Sequence, residues 1–444
     1  MKLPADFLES ISKAPGLNLS SFERVHASGE QVTSVRLNPF KLVALPFDTQ
    51  DRVPWSSHGV YLPERPSFTL DPLFHAGAYY VQEASSMFIE QFIKQHSGGG
   101  PLKVLDLCAA PGGKSTLLQS VLPEGSMVVS NEVVRQRQNI LAENITKWGA
   151  SNMIVTGNDA SAFSKLGEFF DVVLVDAPCS GSGLFRRDPD AINEWSRSQV
   201  QVCAARQKDI LENILPCLRR DGLLIYSTCS FSVEEDEDIA VLLQDAGLGS
   251  LDLSIPGDWG ITRSSGMGVH SFRFYPDKLR GEGFFAAGFR KLSSHAAARW
   301  KKSPVKKFAG SIAKDLLHSA ESFYVIESNE NLLAIPVNMM EDLQHLQQNL
   351  YIRKAGIMLG QVMKGSLVPS QELAMSVDYN HSFPECEIDL TNALDYLRRR
   401  DANFGAAAKG WNLVTFRGLG LGWMKNVGNR VNNYYPREWR IQNM

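Results

Sequence analysis

The sequence predicts an α/β fold: a Rossmann-like, doubly wound core in the middle of the chain, with an N-terminal extension before it and a small β-rich module at the end. Short apolar runs alternate with helical periodicity across roughly residues 102–230, the pattern of a parallel sheet wrapped by helices. The first run opens into a loop of proline, glycine and small residues, where open α/β sheets receive ligands. Glycine-punctuated strand patterns dominate the C-terminal segment GWNLVTFRGLGLGWMKN (410–426).

In chain order, LKVLDL (102–107) is the first core strand and a helix follows over 114–121. MVVSNE (127–132) is the next strand, and VVRQRQNILAENITKWG (133–149) a helix stopped by Gly149. MIVTGND (153–159), DVVLVDAP (171–178) and GLLIYSTCS (222–230) are further strands, with a long helix over 198–218 before the last. Ahead of the core lie TSVRLNPFK (33–41) and the aromatic-rich GVYLPERPSF (59–68). The division expected is an N-terminal region 1–75, a core domain 76–292, a polar, basic linker 293–311, and a C-terminal region 312–444 whose β-rich module begins near 385.

With 44% hydrophobic and 21% charged residues the 444-residue chain can build several cores. No stretch approaches the roughly 18 apolar residues of a membrane span. Pro4, Asp6 and Glu9 interrupt the N-terminus where a signal peptide is apolar, so a cytoplasmic protein is expected. The six cysteines (108, 179, 203, 217, 229, 386) include no CxxC pair, which argues against structural zinc and a disulfide framework. No metal and no obligate protein partner are expected. The net charge of −3 is unevenly spread. Residues 291–310 hold six basic side chains (Lys291, Arg299, Lys301, Lys302, Lys306, Lys307) and no acid, and the last 54 residues hold nine Lys or Arg against three Asp or Glu. Such segments suit a phosphate-tracking surface, the alternative being a solvated linker.

The loop after the first strand reads Leu107-Cys108-Ala109-Ala110-Pro111-Gly112-Gly113-Lys114-Ser115. A P-loop would need glycine where Cys108 stands, and a dinucleotide fingerprint would need GxGxxG where only Gly112-Gly113 occurs. Glu132, at the end of the second strand, is placed to take the ribose hydroxyls of an adenosine, and Asp159, after the third, lies near its amino group. One acid per βα unit favours a nucleoside carrying a sulfonium and an amino group over one carrying phosphates, and so a methyl donor.

Two strands end in cysteine motifs, Asp176-Ala177-Pro178-Cys179 and Ser227-Thr228-Cys229-Ser230. In a parallel sheet both emerge on the edge that carries the donor loop. Methylation of an amino nitrogen needs no nucleophile; methylation of cytosine C5 does, because the ring is electron-poor. A thiolate added to C6 makes C5 enamine-like, after which a base must remove the C5 proton and the sulfur must leave. Asp176 is a candidate to contact the base edge, and Lys114 to position substrate or favour a thiolate. Cys203, Cys217 and Cys386 lack such motifs and read as small buried hydrophobes. The acidic run 234–238 reads as a helix's first turn rather than a metal site.

DLCAAPGGKS (106–115), VVSNE (128–132), Asp159, DAPCSGSGLFRRDPDA (176–191), YSTCSFSVEEDE (226–237) and RFYPDKLRGEGFFAAGFRK (273–291) together resemble the RsmB/RsmF and Nop/Sun group of RNA cytosine-C5 methyltransferases. VRLNPFK and FHAGAYYVQEASSM (74–87) resemble the segments ahead of that family's core, and GLGLGWMKNVGNRVNNYYPREWR (418–440) is similar to the PUA-like RNA-binding domain of the RsmF branch. The resemblance implies S-adenosyl-L-methionine as cofactor, held by residues 108–114, Glu132, Asp159 and Asp176. It implies Cys229 as nucleophile and Cys179 in product release, roles the residues alone leave open. It also implies an RNA partner, small-subunit (16S) ribosomal RNA or the small ribosomal subunit ahead of transfer RNA, recognised by the N-terminal region 1–75 and bound by the C-terminal region 312–444. A departure stands at Asp277-Lys278, where relatives often carry His or Arg, with altered substrate contacts as the expected consequence. The competing reading is a non-catalytic RNA-binding assembly factor that keeps the cofactor fold.

Overall fold

The computed structural model describes residues 2–41, 47, 49–294, 315–328 and 330–442. Three strands, β1 (Thr33–Leu37), β2 (Gly59–Leu62) and β3 (Tyr79–Val81), form an antiparallel sheet in the order β2-β1-β3. The core strands follow: β4 (Lys103–Asp106), β5 (Met127–Asn131), β6 (Met153–Thr156), β7 (Phe170–Asp176), β8 (Leu218–Thr228), β9 (Leu248–Leu251), β10 (Thr262–Ser264), β11 (Ser271–Phe274) and β12 (Phe284–Lys291). Their order is β10-β11-β12-β8-β7-β4-β5-β6, with β9 against β12. The run from β8 to β6 is parallel, and β10 to β12 are antiparallel additions. The chain winds outward from β4 in both directions, so the switch point where such sheets bind ligands lies between β4 and β7.

Alternate residues of each strand enter opposite cores. Leu105, Val173, Val175, Leu224 and Tyr226 pack on one face; Val104, Val172, Leu174, Leu223 and Ile225 pack on the other. The helices expected from periodicity are present as Gly113–Val121, Arg135–Trp148 and Arg197–Ile214, and the second is stopped by Gly149 in the left-handed conformation. Cys203, Cys217 and Cys386 are buried. Beyond the core come two four-stranded sheets, the last containing the Gly410–Phe416 and Leu419–Asn426 hairpin. No helix among the described residues is long and apolar enough to cross a membrane.

The structure departs from the sequence reading where long-range partners decide. The N-terminal sheet closes only with β3, past residue 75, and Ile352–Ala355 from the C-terminal region adds an antiparallel edge strand to β6. Lys291 is no surface cation: it is buried, with its ammonium donating to the carbonyl of Leu215 at 3.0 Å and to that of Leu218. The remaining basic residues of that run, Arg299 to Lys307, lie outside the described residues. Asp277 and Lys278 face the N-terminal segment: Ser21 donates to Asp277, and Lys278 Nζ donates to the Gly16 carbonyl at 2.5 Å.

Arg36 joins the N-terminal sheet to the core. It is buried on β1, and its guanidinium donates to Gln82 Oε1 (2.8 Å), Ser120 Oγ (2.9 Å), Thr116 Oγ1 (2.5 Å) and the Gly113 carbonyl (3.3 Å) while lying 4.5 Å from the Trp148 ring centre. Asn38 and Lys41 of the same segment donate to the carbonyls of Trp148 and Lys147. The segment that begins at β1 therefore grips the first turn of the helix Gly113–Val121. Arg36→Ala should lower stability by about 2–4 kcal/mol, since several buried acceptors lose their donors. Arg36→Lys should recover little of it, because an ammonium cannot reproduce the fork. The position of the first unfolding transition in urea measures both.

Candidate active site

Beyond Asp106 the chain crosses the top of the sheet as residues 107–112 and enters the helix Gly113–Val121. Gly112, at φ 115°, adopts a backbone conformation that a side chain would strain. The neighbouring βα unit holds the loop: the Ala109 amide donates to the Asn131 carbonyl (2.8 Å), Arg137 to the Ala110 carbonyl (2.8 Å), and Asn144 to the Pro111 carbonyl (2.8 Å). Asp106 is fully buried beneath it. Its Oδ2 accepts from Ser115 Oγ at 2.7 Å, while Oδ1 has no hydrogen-bond partner among the described residues. Burial, with repulsion from Asp176 and Glu132 and relief from Ser115 and Lys114, pushes its pKa up to about 7.

The other acids are differently engaged. Glu132 is buried, with Oε1 accepting from the Val134 amide (2.8 Å) and Oε2 at 3.2 Å from Arg137. Asp159 is exposed and caps the short helix Ala160–Phe163 through the Ser161 amide (3.0 Å) and hydroxyl (2.6 Å), bonds that hold its pKa below the ordinary value. Asp176 pairs with Lys114 (2.7 Å) and accepts from Ser227 Oγ (2.8 Å). Burial opposes the charge on Lys114, but Asp176, with a smaller contribution from Cys229, outweighs it and raises the ammonium's pKa.

The two cysteine motifs leave the sheet side by side. Asp176 on β7 is paired with Ser227 on β8, and the thiols of Cys179 and Cys229 lie 3.3 Å apart. The hydrogen bond to Cys229, then burial, pushes the Cys179 thiol well up. Glycines admit the surrounding loops: a Cβ on Gly183 would stand 2.5 Å from the Gly283 carbonyl oxygen and 2.7 Å from that of Cys229.

Lys114, Asp176, Cys179 and Cys229 thus converge as the sequence places them, with the 108–113 loop over the same sheet edge. Asp159 stands apart as a helix cap. Sequence reasoning missed Asp106, Glu235 and Asp236. The acids 234–238 do begin a helix, through Glu237 and Asp238, but Glu235 and Asp236 turn inward and are fully buried. Glu235 accepts from Ser180 and Ser230, the residues that follow the two cysteines; Asp236 accepts from Thr228 Oγ1 at 2.6 Å and lies 3.0 Å from the buried Arg273. The repeated Cys-Ser step in both motifs was the available signal.

An acid-lined loop at the switch point of such a sheet, with an unpartnered buried carboxylate beneath it, suits a cationic nucleoside: fold and site define an S-adenosylmethionine-dependent methyltransferase. Three family descriptions match: 16S rRNA methyltransferase RsmB/F over residues 100–290, the RsmF PUA domain over 383–441, and the N-terminal domain of 16S rRNA methyltransferase RsmF over 3–84. Ribosomal RNA small subunit methyltransferase F of Aliivibrio salmonicida is 30% identical, with 98% of this chain and 97% of the relative covered. The protein of that name from Escherichia coli K12 is 29% identical, with 91% and 89% covered. Among solved structures, a methyltransferase homologue from Pyrococcus horikoshii is 27% identical with a TM-score of 0.53, covering 64% of this chain and 94% of its own. NSun6 from the same organism, solved with SFG, an S-adenosylmethionine analogue, shares the fold at 20% identity and a TM-score of 0.54, covering 66% and 99%. The chain belongs to the RsmB/F family of 16S rRNA methyltransferases, in its RsmF branch.

Asp106 gives this site a pH signature. In the free protein its pKa near 7 keeps much of it protonated at neutral pH, and a cationic ligand draws the proton off. Cofactor affinity should therefore rise as pH rises through about 7, and the wild type should show a dependence that Asp106→Asn lacks. Calorimetric titration of both proteins at about pH 6, 7 and 8 measures the difference, in which the ligand's own titration cancels.

Proposed function

We propose that this protein methylates C5 of a cytosine in small-subunit 16S ribosomal RNA through a covalent adduct between Cys229 and C6. The observation that carries the reading is the pair of thiols 3.3 Å apart at the ends of adjacent parallel strands, on the edge that holds the donor loop. A methyltransferase acting on nitrogen or oxygen has no use for such a pair.

When bound, S-adenosyl-L-methionine supplies an electrophilic methyl group. Residues 108–114, Glu132, Asp159 and Asp176 would hold it, Glu132 through the ribose hydroxyls and Asp159 near the adenine. Cys229, as thiolate, forms a bond to C6 and moves the C5–C6 electron pair onto C5, which takes the methyl group. Asp176, held by Lys114 and Ser227, contacts the polar edge of the base. A base then takes the C5 proton, the electrons of that C–H bond re-form the C5–C6 double bond, and the C6–sulfur bond breaks to return Cys229 as thiolate, with Cys179 serving this release. This division follows the family resemblance, which assigns Cys229 to attack and Cys179 to release.

RNA is the substrate to which the C-terminal region is suited. Arg399, Arg400, Arg430 and Arg437 line a cleft of about 950 Å³ beside Tyr434, whose ring lies 4.4 Å from Trp411. Cations interleaved with aromatic rings grip phosphates and stack bases. In this reading the N-terminal region, 1–75, and the C-terminal region, 312–444, hold RNA around the 76–292 catalytic domain.

Purified protein with methyl-labelled donor should label one cytosine C5 when given small ribosomal subunits or naked 16S RNA. Label on bulk transfer RNA instead would move the substrate, and no label with donor binding intact would make the protein a non-catalytic binder. Cys179→Ala should accumulate an RNA–protein adduct stable on denaturing gels, and Cys229→Ala should lose both adduct and methylation. The reverse pattern would exchange the roles.

A further inference from the structure

Neither thiol is fixed by the sheet itself. The ladder between β7 and β8 ends with the Ala177 amide donating to the Ser227 carbonyl at 2.9 Å, two residues short of each cysteine. Past that rung the residues that follow the two cysteines, Ser180 and Ser230, meet on one side chain, Glu235. Its Oε1 accepts from the Ser180 amide (2.7 Å) and from Gln207 Nε2 (3.3 Å); its Oε2 accepts from Ser180 Oγ (2.5 Å) and Ser230 Oγ (2.6 Å). Its own backbone is held by Tyr226, whose hydroxyl donates to the Glu235 carbonyl at 2.6 Å. Gln207 also reaches the Pro178 carbonyl at 3.0 Å, so the strand end before Cys179 is tied to the same anchor.

The support is unequal. Thr228, before Cys229, is held by Asp236 (2.6 Å) and accepts from the Ser230 amide (3.2 Å), while the bond from the Gly183 amide to the Cys229 carbonyl (2.8 Å) joins both loops farther along. Ser180, after Cys179, gives both its amide and its hydroxyl to Glu235. The Cys179 loop therefore depends on Glu235 more than the Cys229 loop does.

We propose that Glu235 is the positioning residue that keeps Cys179 within reach of the adduct carried by Cys229, so that it acts on product release rather than on attack. This rests on the cysteine roles assigned above. Burial pushes the pKa of this carboxyl up and its bonds from Ser180, Ser230 and Gln207 oppose the rise, and two carboxylate oxygens can accept all four donors at once.

The test is Glu235→Ala, with both cysteines intact, given 16S RNA and S-adenosylmethionine. The variant should bind cofactor as the wild type does, accumulate an adduct stable on denaturing gels, and turn over about 100-fold more slowly, the effect of a misplacement near one ångström. Glu235→Gln keeps an acceptor for Ser180 and should turn over without visible adduct. Ser180→Ala removes one of the four bonds and should build up adduct to a smaller extent, which keeps the test open if Glu235→Ala does not fold. Wild-type turnover without adduct in folded Glu235→Ala or Ser180→Ala, or loss of methylation without adduct, would overturn the proposal. Cys179→Ala run beside them separates the two failures. If it too forms no adduct, the cysteine roles are at fault; if it does and Glu235→Ala does not, only the role of Glu235 falls.

Discussion

The hydrogen bond from the Ala177 amide to the Ser227 carbonyl is the last rung between two parallel strands, and the active site is built from what those strands release just beyond it. Because β7 and β8 are adjacent, parallel and paired up to Asp176 and Ser227, their next residues leave at the same height and on the same edge. An antiparallel pair would send one motif to the opposite end of the sheet. Parallel pairing requires a crossover between the strands, which the helix Arg197–Ile214 supplies while covering one core. The same geometry places the loop after β4 alongside, so that loop and both cysteine motifs share one sheet edge with no element dedicated to bringing them together.

Buried polar groups hold the released loops, and their energetics explain why they occur in closed sets. Arg273 is buried, paired with Glu237 and Asp236, and donates to the Phe231 carbonyl at 3.1 Å. Desolvating these charges costs several kcal/mol per ion, and only their mutual attraction and hydrogen bonds offset it. Such a set gives up its full cost when one member is removed, so it fixes geometry more firmly than it adds net stability. Arg36 does the same with neutral acceptors at the other end of the site, tying the N-terminal sheet to the helix that begins at Gly113.

The elements with local signatures were legible. Buried strands of β-branched residues, a helix stopped by Gly149, and loops whose spacing excludes phosphate motifs could be read directly, as could the convergence of Lys114, Asp176, Cys179 and Cys229. The rest depends on partners far along the chain. Lys291 looks like part of a basic run until it is seen beneath the carbonyls of Leu215 and Leu218. Arg36 and Lys41 are both buried against the core, which nothing in the local sequence announces.

The acidic run 234–238 shows why residue type alone misleads at such a site. Five consecutive acids favour a helix start on electrostatic grounds, and Glu237 and Asp238 do occupy one. The chain makes a 3-10 turn through Val233–Glu235 first, and this turn directs Glu235 back toward the strand ends. Two carboxylates from one run are thereby divided, Glu235 to the serines after the cysteines and Asp236 to the threonine before one of them. Glu235 therefore reaches the loops after both thiols, through Ser180 at 2.5 Å and Ser230 at 2.6 Å, while Asp236 holds only the Cys229 side through Thr228. One short turn of chain thus joins the two strand ends that the parallel ladder releases, and ties each of them differently.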